Sequence, residues 1–82
     1  MKARFHSDVL KQLQNLPREV FESALHAIIE LIENPRPRGA KKLVGRTDWR
    51  IRLGQYRIVY EIDDDEQVVT IMTVAKRSDA YR

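Results

Sequence analysis

The sequence predicts an α+β domain, two helices packed on one face of an antiparallel sheet. Three observations carry that prediction. Apolar residues between Ser7 and Asn34 recur at helical spacing, whereas from Trp49 onward they alternate with polar ones. The two regimes are separated by a stretch punctuated with Pro35, Pro37, Gly39 and Gly45. Eighty-two residues allow one domain over 1–82 and no second core.

Lys2, Arg4 and His6 alternate with Ala3 and Phe5, which suits a short first strand. Ser7 is placed to cap a helix in which Val9, Leu10, Leu13 and Leu16 keep one face apolar. Pro17 stands where a second helix would begin. In that helix Phe21, Leu25, Ile28 and Ile32 form a stripe, flanked by Val20, Ala24 and Leu31, with Glu19, Glu22, Glu30 and Glu33 on the wet side. Asn34-Pro35 ends it, because proline disfavours helix for the residue before it. Residues 35–47 read as a loop.

Trp49, Ile51 and Leu53 then point one way while Asp48, Arg50 and Arg52 point the other. Gly54-Gln55 suits a two-residue hairpin turn, with glycine supplying positive φ. The return strand puts Tyr56, Ile58, Tyr60 and Ile62 on one face, and Trp49, Tyr56 and Tyr60 read as core aromatics. Asp63–Glu66 is a solvated turn, too short for a calcium loop and without its glycine. Gln67–Ala75 is a third strand rich in β-branched residues.

Composition narrows the function classes. The apolar share of 43% excludes a wholly disordered chain, and the lack of cysteine excludes disulfides and thiolate metal sites. Met1–Phe5 lacks the apolar core of a signal peptide, and no stretch approaches the roughly 18 apolar residues of a membrane span. A cytoplasmic protein with no membrane partner is expected. His6 and His26 sit on different elements and read as surface or boundary residues, not as a metal pair.

The net charge of +3 hides a strong asymmetry. Residues 36–57 hold Arg36, Arg38, Lys41, Lys42, Arg46, Arg50, Arg52 and Arg57 against Asp48 alone, while 58–75 hold five acids and no base. Clustering of this kind suits a polyanion, most simply nucleic acid. A two-residue turn at Gly54-Gln55 sets Leu53 against Tyr56, Arg52 against Arg57, Ile51 against Ile58 and Arg50 against Val59. All the apolar partners then share the core face, and two arginines meet on the other. Like charges in that position destabilise a sheet. Two remedies are open: a bound phosphate, which arginine forks suit, or neutralisation of Arg57 by Glu61 and of Arg52 by Asp48.

The run from Trp49 to Ile62 and the ending Val74-Ala75-Lys76-Arg77-Ser78-Asp79-Ala80-Tyr81-Arg82 resemble the central hairpin and tail of RelE-type toxins. The upstream helix and Asn34-Pro35 followed by Lys42-Leu43 match as well, so the resemblance spans nearly the whole chain. It implies the β-α-α-β-β-β fold of the RelE/ParE superfamily. It also implies metal-independent, cofactor-free cleavage of mRNA, commonly on the ribosome, by attack of a 2′-hydroxyl on the adjacent phosphate. The positions matching the catalytic set of RNA-cleaving members are Arg52, Arg57, Arg77 and Tyr81, with Arg50, Lys41, Lys42 and Arg46 as substrate-binding residues. Some relatives carry lysines where Arg50 and Arg52 stand, and arginine is a poor general base. That leaves the base to Tyr81, to ribosomal RNA, or to no residue if catalysis is electrostatic positioning.

The resemblance further implies a cognate antitoxin with an acidic or amphipathic segment, and operator DNA reached only through that complex. Two competing functions fit the same sequence: a ParE-type inhibitor of DNA gyrase, and an RNA- or ribosome-binding module without catalysis. Simple alternation along the last strand also puts Arg77 in phase with Val69 and Ile71 on the core side. The chain must therefore bend after Ala75 for Arg77 to join Arg57.

Overall fold

In the computed structural model, residues 1–76 are described, so the expectations placed on Arg77 and Tyr81 lie outside the described residues. Strand β1 (Lys2–Phe5) leads into helices α1 (Ser7–Gln14) and α2 (Arg18–Glu33). Strands β2 (Lys41–Lys42), β3 (Trp49–Leu53), β4 (Tyr56–Asp63) and β5 (Val68–Lys76) follow. They form one sheet in the order β1-β5-β4-β3-β2. The α+β class and the helices-on-sheet architecture stand as expected.

The sheet is mixed, not purely antiparallel. β1 runs parallel to β5, pairing Ala3 with Val69 and Phe5 with Ile71. Parallel pairing joins residues more than sixty positions apart and leaves no trace in local alternation. Residues 35–47 are not all loop either, since Lys41 and Lys42 pair antiparallel with Arg50 and Trp49.

Helix α1 is capped by His6, not Ser7: the His6 Nδ1 accepts from the Asp8 amide, and Ser7 is already helical. An imidazole nitrogen takes the place of the usual hydroxyl acceptor. Helix α2 ends where Asn34 turns extended before Pro35. Its buried stripe is Ala24, Ala27, Ile28 and Leu31, rotated from the expected one, and Leu25 and Leu10 are exposed. Phe21 and Ile32 pack half-buried beside that stripe.

The core joins Val9 and Leu13 of α1 and that stripe of α2 to Ile58, Tyr60, Val69, Ile71 and Val74 of the sheet. Trp49, Ile51, Leu53 and Ile62 pack against it half-buried. Leu31 is fully enclosed, and truncation of such a leucine to alanine typically costs about 2–5 kcal/mol.

Candidate nucleic-acid interface

The sheet face turned away from the helices carries Arg50, Arg52 and Arg57, and the register decides which of them meet. Gly54 takes φ 60°, as the first position of a tight hairpin turn requires. The pairing is then Leu53–Tyr56, Arg52–Arg57, Ile51–Ile58 and Arg50–Val59, the register expected from the sequence. Arg52 and Arg57 therefore form one rung of the outer face. Lys41 lies opposite Arg50 and adds a cation to the next rung. Lys42 pairs with Trp49 and so belongs to the opposite face.

Acidic residues sort the remaining charge. Arg46 grips Asp48 through two bonds, Nε to Oδ1 at 3.0 Å and Nη2 to Oδ2 at 2.6 Å. Asp48 thus serves Arg46, not Arg52, and Arg46 stands in a bidentate pair. Arg36 holds Asp64 in the same forked manner, at 3.2 and 2.8 Å, and lies 5.4 Å from the centre of the Trp49 ring. That fork holds the Asp64 carboxyl below the usual aspartate range and raises the Arg36 guanidinium. Glu61 is exposed and pairs across the ladder with Thr70.

Arg38, Lys41, Arg50 and Arg52 surround a shallow depression of about 310 Å³, with Gly39 and Ile51 completing its lining. Arg38 is the residue that sequence reasoning missed. Its only signal was membership of the basic run, and a loop position gives no face. Arg50 and Arg57 are largely buried, 8% and 9% exposed, whereas Arg52 is open to solvent. Burial limits the rotamers of these two guanidinium groups while arginine keeps its charge. Such pre-positioned cations stabilise developing negative charge with little reorganisation.

The loop carrying Arg38 is held to the sheet at both ends. Tyr60 Oη donates to the Pro35 carbonyl at 2.7 Å, and Arg50 Nη1 donates to the Gly39 carbonyl at 3.3 Å. Burial pushes the Tyr60 phenol up to about 12, with Arg36 pulling weakly the other way. Tyr60 is therefore a structural donor and a poor base.

A larger hollow of about 500 Å³ lies at the other end of the sheet, lined by Arg4, Glu61, Asp63, Asp64, Asp65 and Glu66 among others. Five carboxylates there repel phosphate, so this hollow does not suit a polyanion. Among the described residues no cluster of His, Asp or Glu side chains is arranged to hold a metal ion.

Residues 3–81 match the family described as ParE toxin of type II toxin-antitoxin system, parDE. The chain is also 31% identical to a putative toxin RelE1 of Methanocaldococcus jannaschii, over 94% of this chain and 90% of that one. The chain belongs to the RelE/ParE family of type II toxins. Within it, the RelE branch is indicated by 34% identity to the mRNA interferase toxin RelE of Escherichia coli K12, over 89% of this chain and 79% of that one. Solved structures agree. A chain of the archaeal RelE-RelB complex from Pyrococcus horikoshii OT3 superposes with a TM-score of 0.83 at 30% identity, covering 96% of this toxin and 97% of that chain. The isolated E. coli RelE toxin gives 0.80 at 30% identity, over 98% and 89%. A YoeB/ParE toxin from Agrobacterium tumefaciens reaches 0.82 at only 18% identity. The fold is thus wider than the branch, and activity is decided by side chains and not by the fold alone.

Proposed function

We propose that this toxin is an endoribonuclease that cleaves mRNA on the ribosome and so stops translation, and that a cognate antitoxin holds it in check. The observation that carries the reading is the Arg52–Arg57 rung, two cations opposed on a sheet face in a chain whose relatives include an mRNA interferase. The chemistry needs three things: an aligned nucleophile, an offset for the charge of the phosphorane, and movement of two protons. The 2′-hydroxyl loses its proton as its oxygen bonds to phosphorus. The bond from phosphorus to the 5′-oxygen breaks, and that oxygen takes a proton. The products are a 2′,3′-cyclic phosphate and a 5′-hydroxyl end.

Arg57 and Arg77 offset the phosphate charge, and Arg52 stabilises the reacting centre. Arg50 serves the flanking RNA backbone through the loop that it braces at Gly39. Tyr81 stacks on a base or moves a proton, because neither arginine on the first hairpin strand can act as base at neutral pH. No metal takes part in this scheme. The antitoxin covers the basic face with an acidic or amphipathic segment, a partner suggested by relatives solved as RelE-RelB complexes. The site of action is the cytoplasm, where ribosomes are met, and no described helix is long and apolar enough to cross a membrane. Operator DNA is reached through the antitoxin complex.

The ends of the cleaved RNA test the chemistry. Fragments made on the ribosome should carry a 5′-hydroxyl that a kinase labels without prior phosphatase treatment. Fragments with a 5′-phosphate, or cleavage abolished by EDTA and restored by magnesium in a ribosome-free reaction, would overturn the mechanism.

A further inference from the structure

The depression beside the Arg52–Arg57 rung has a chemistry of its own. Its lining joins four cations, Arg38, Lys41, Arg50 and Arg52, and includes no carboxylate among the described residues. Arg36 and Arg46, which hold Asp64 and Asp48, do not line it. Arg50 turns one nitrogen inward to the Gly39 carbonyl, so it braces the loop from which Arg38 projects into solvent. The same loop is tied at its start by Tyr60 to Pro35, and closed by a turn in which the Ala40 amide donates to the Pro37 carbonyl at 3.0 Å. Gly39 takes φ 95° within that turn, a conformation that suits glycine.

The spacing is also specific. Lys41 shares a rung with Arg50, and Arg52 shares one with Arg57. Arg50 and Arg52 are two residues apart on β3, about 6.8 Å at the usual strand rise. That step is comparable with the separation of successive phosphates along an extended RNA strand.

We propose that Arg38 and Lys41, with Arg50 as the residue that positions their loop, form a second phosphate subsite. It holds the RNA phosphate next to the scissile one at the Arg52–Arg57 rung. The proposal rests on the arginine face being the RNA site, and it adds Arg38 and a distinct role for Arg50. An RNA backbone is thereby laid along β3, with one phosphate per rung.

The test is binding, separate from cleavage. The probe is a short fluorescent RNA, uncleavable because each 2′-hydroxyl is methylated, titrated by anisotropy against the purified toxin. Arg38→Ala should weaken binding about tenfold, the size expected for one charge-assisted contact. It should also lower the salt dependence, log K against log salt, by about 0.7. Arg38→Lys should restore most of the affinity. Arg50→Ala should resemble Arg38→Ala, and the double variant should be little worse than either, because Arg50 acts through the loop.

Replacing one phosphate at a time by a neutral methylphosphonate then locates the subsite. Arg38→Ala should become silent at a single phosphate, adjacent to the one at which Arg57→Ala becomes silent. Equal weakening at every position, silence of both variants at the same phosphate, or unchanged affinity on Arg38→Ala would overturn the subsite. Binding that depends on Arg38 in a toxin that cleaves nothing would leave the subsite standing and remove the nuclease reading.

Discussion

Arg57 lies directly opposite Ala75 across the β4–β5 ladder, on the face away from the helices. Plain alternation from Val69 and Ile71 would have put residue 75 on the core side. The pairing instead skips from Tyr60–Ile71 to Val59–Thr73, so Met72 is an extra residue in β5. This β-bulge inverts the phase, which brings Val74 into the core and Ala75 onto the arginine face. The phase of β5 thus changes at Met72, three residues before Ala75, and the expected bend toward Arg77 lies outside the described residues.

The bulge has a visible support. The Val74 amide donates to Gln12 Oε1 at 2.8 Å, so a side chain of α1 takes the place of a neighbouring strand. Gln12→Ala should cost about 1–3 kcal/mol by leaving that half-buried donor without its acceptor. Hydrogen exchange read by NMR should show the Val74 amide exchanging faster than in the parent by more than global stability explains. Unchanged relative protection at Val74 would show that the bulge holds without Gln12.

The opposed arginines predict that an anion stabilises this fold. Adding inorganic phosphate should raise the melting temperature of the parent toxin, since binding to the native state alone stabilises it by mass action. Arg52→Thr should blunt that rise and lower RNA cleavage at least a hundredfold, on the order of a lost transition-state donor. A phosphate response identical in both proteins would place the anion elsewhere.

Tyr60 predicts an alkaline dependence of stability. Its phenol titrates near 12 when folded and near 10 when unfolded, so the folded state holds the proton more tightly. The stability this contributes is complete below pH 10 and is lost as pH rises toward 12, a total on the order of 2–3 kcal/mol. Tyr60→Phe lacks that loss but gives up the bond to Pro35, about 1 kcal/mol at neutral pH. Denaturant unfolding should therefore find the parent more stable at pH 8 and the gap closing or reversing above pH 10. Parallel curves would contradict the burial of the phenol.

Asp64 predicts the opposite limb. Arg36 lowers its folded value, so its contribution is present above the unfolded value and disappears as pH falls through the folded one. The stability difference between the parent and Asp64→Asn should shrink on acidification, and also with added salt, as expected for an exposed pair. A difference that grows toward low pH would reverse this assignment.

Much of this was legible in the sequence because its causes are local. The β3–β4 register followed from Gly54 and from the need of Ile51, Ile58 and Tyr60 to share one face. The Arg52–Arg57 rung came with it. The end of α2 followed from Asn34-Pro35. The rest depended on partners distant in sequence. β1 pairs parallel with a strand at the other end of the chain, and the phase of β5 turns on one bulged residue held by Gln12. The fate of individual cations was equally hidden. Asp48 could reach either Arg46 or Arg52 by spacing alone, and only the fold shows that Arg46 takes it. Arg38 needed the loop anchored by Tyr60 and Arg50 before it had a place on the face.

The most direct test of the central claim is primer extension on a reporter mRNA in a reconstituted translation reaction. The parent toxin should produce discrete breaks inside the coding sequence, dependent on ribosomes, and Arg57→Ala should abolish them while remaining folded. Intact mRNA with translation normal, together with loss of gyrase supercoiling activity, would contradict the nuclease account and place the chain with ParE-type inhibitors.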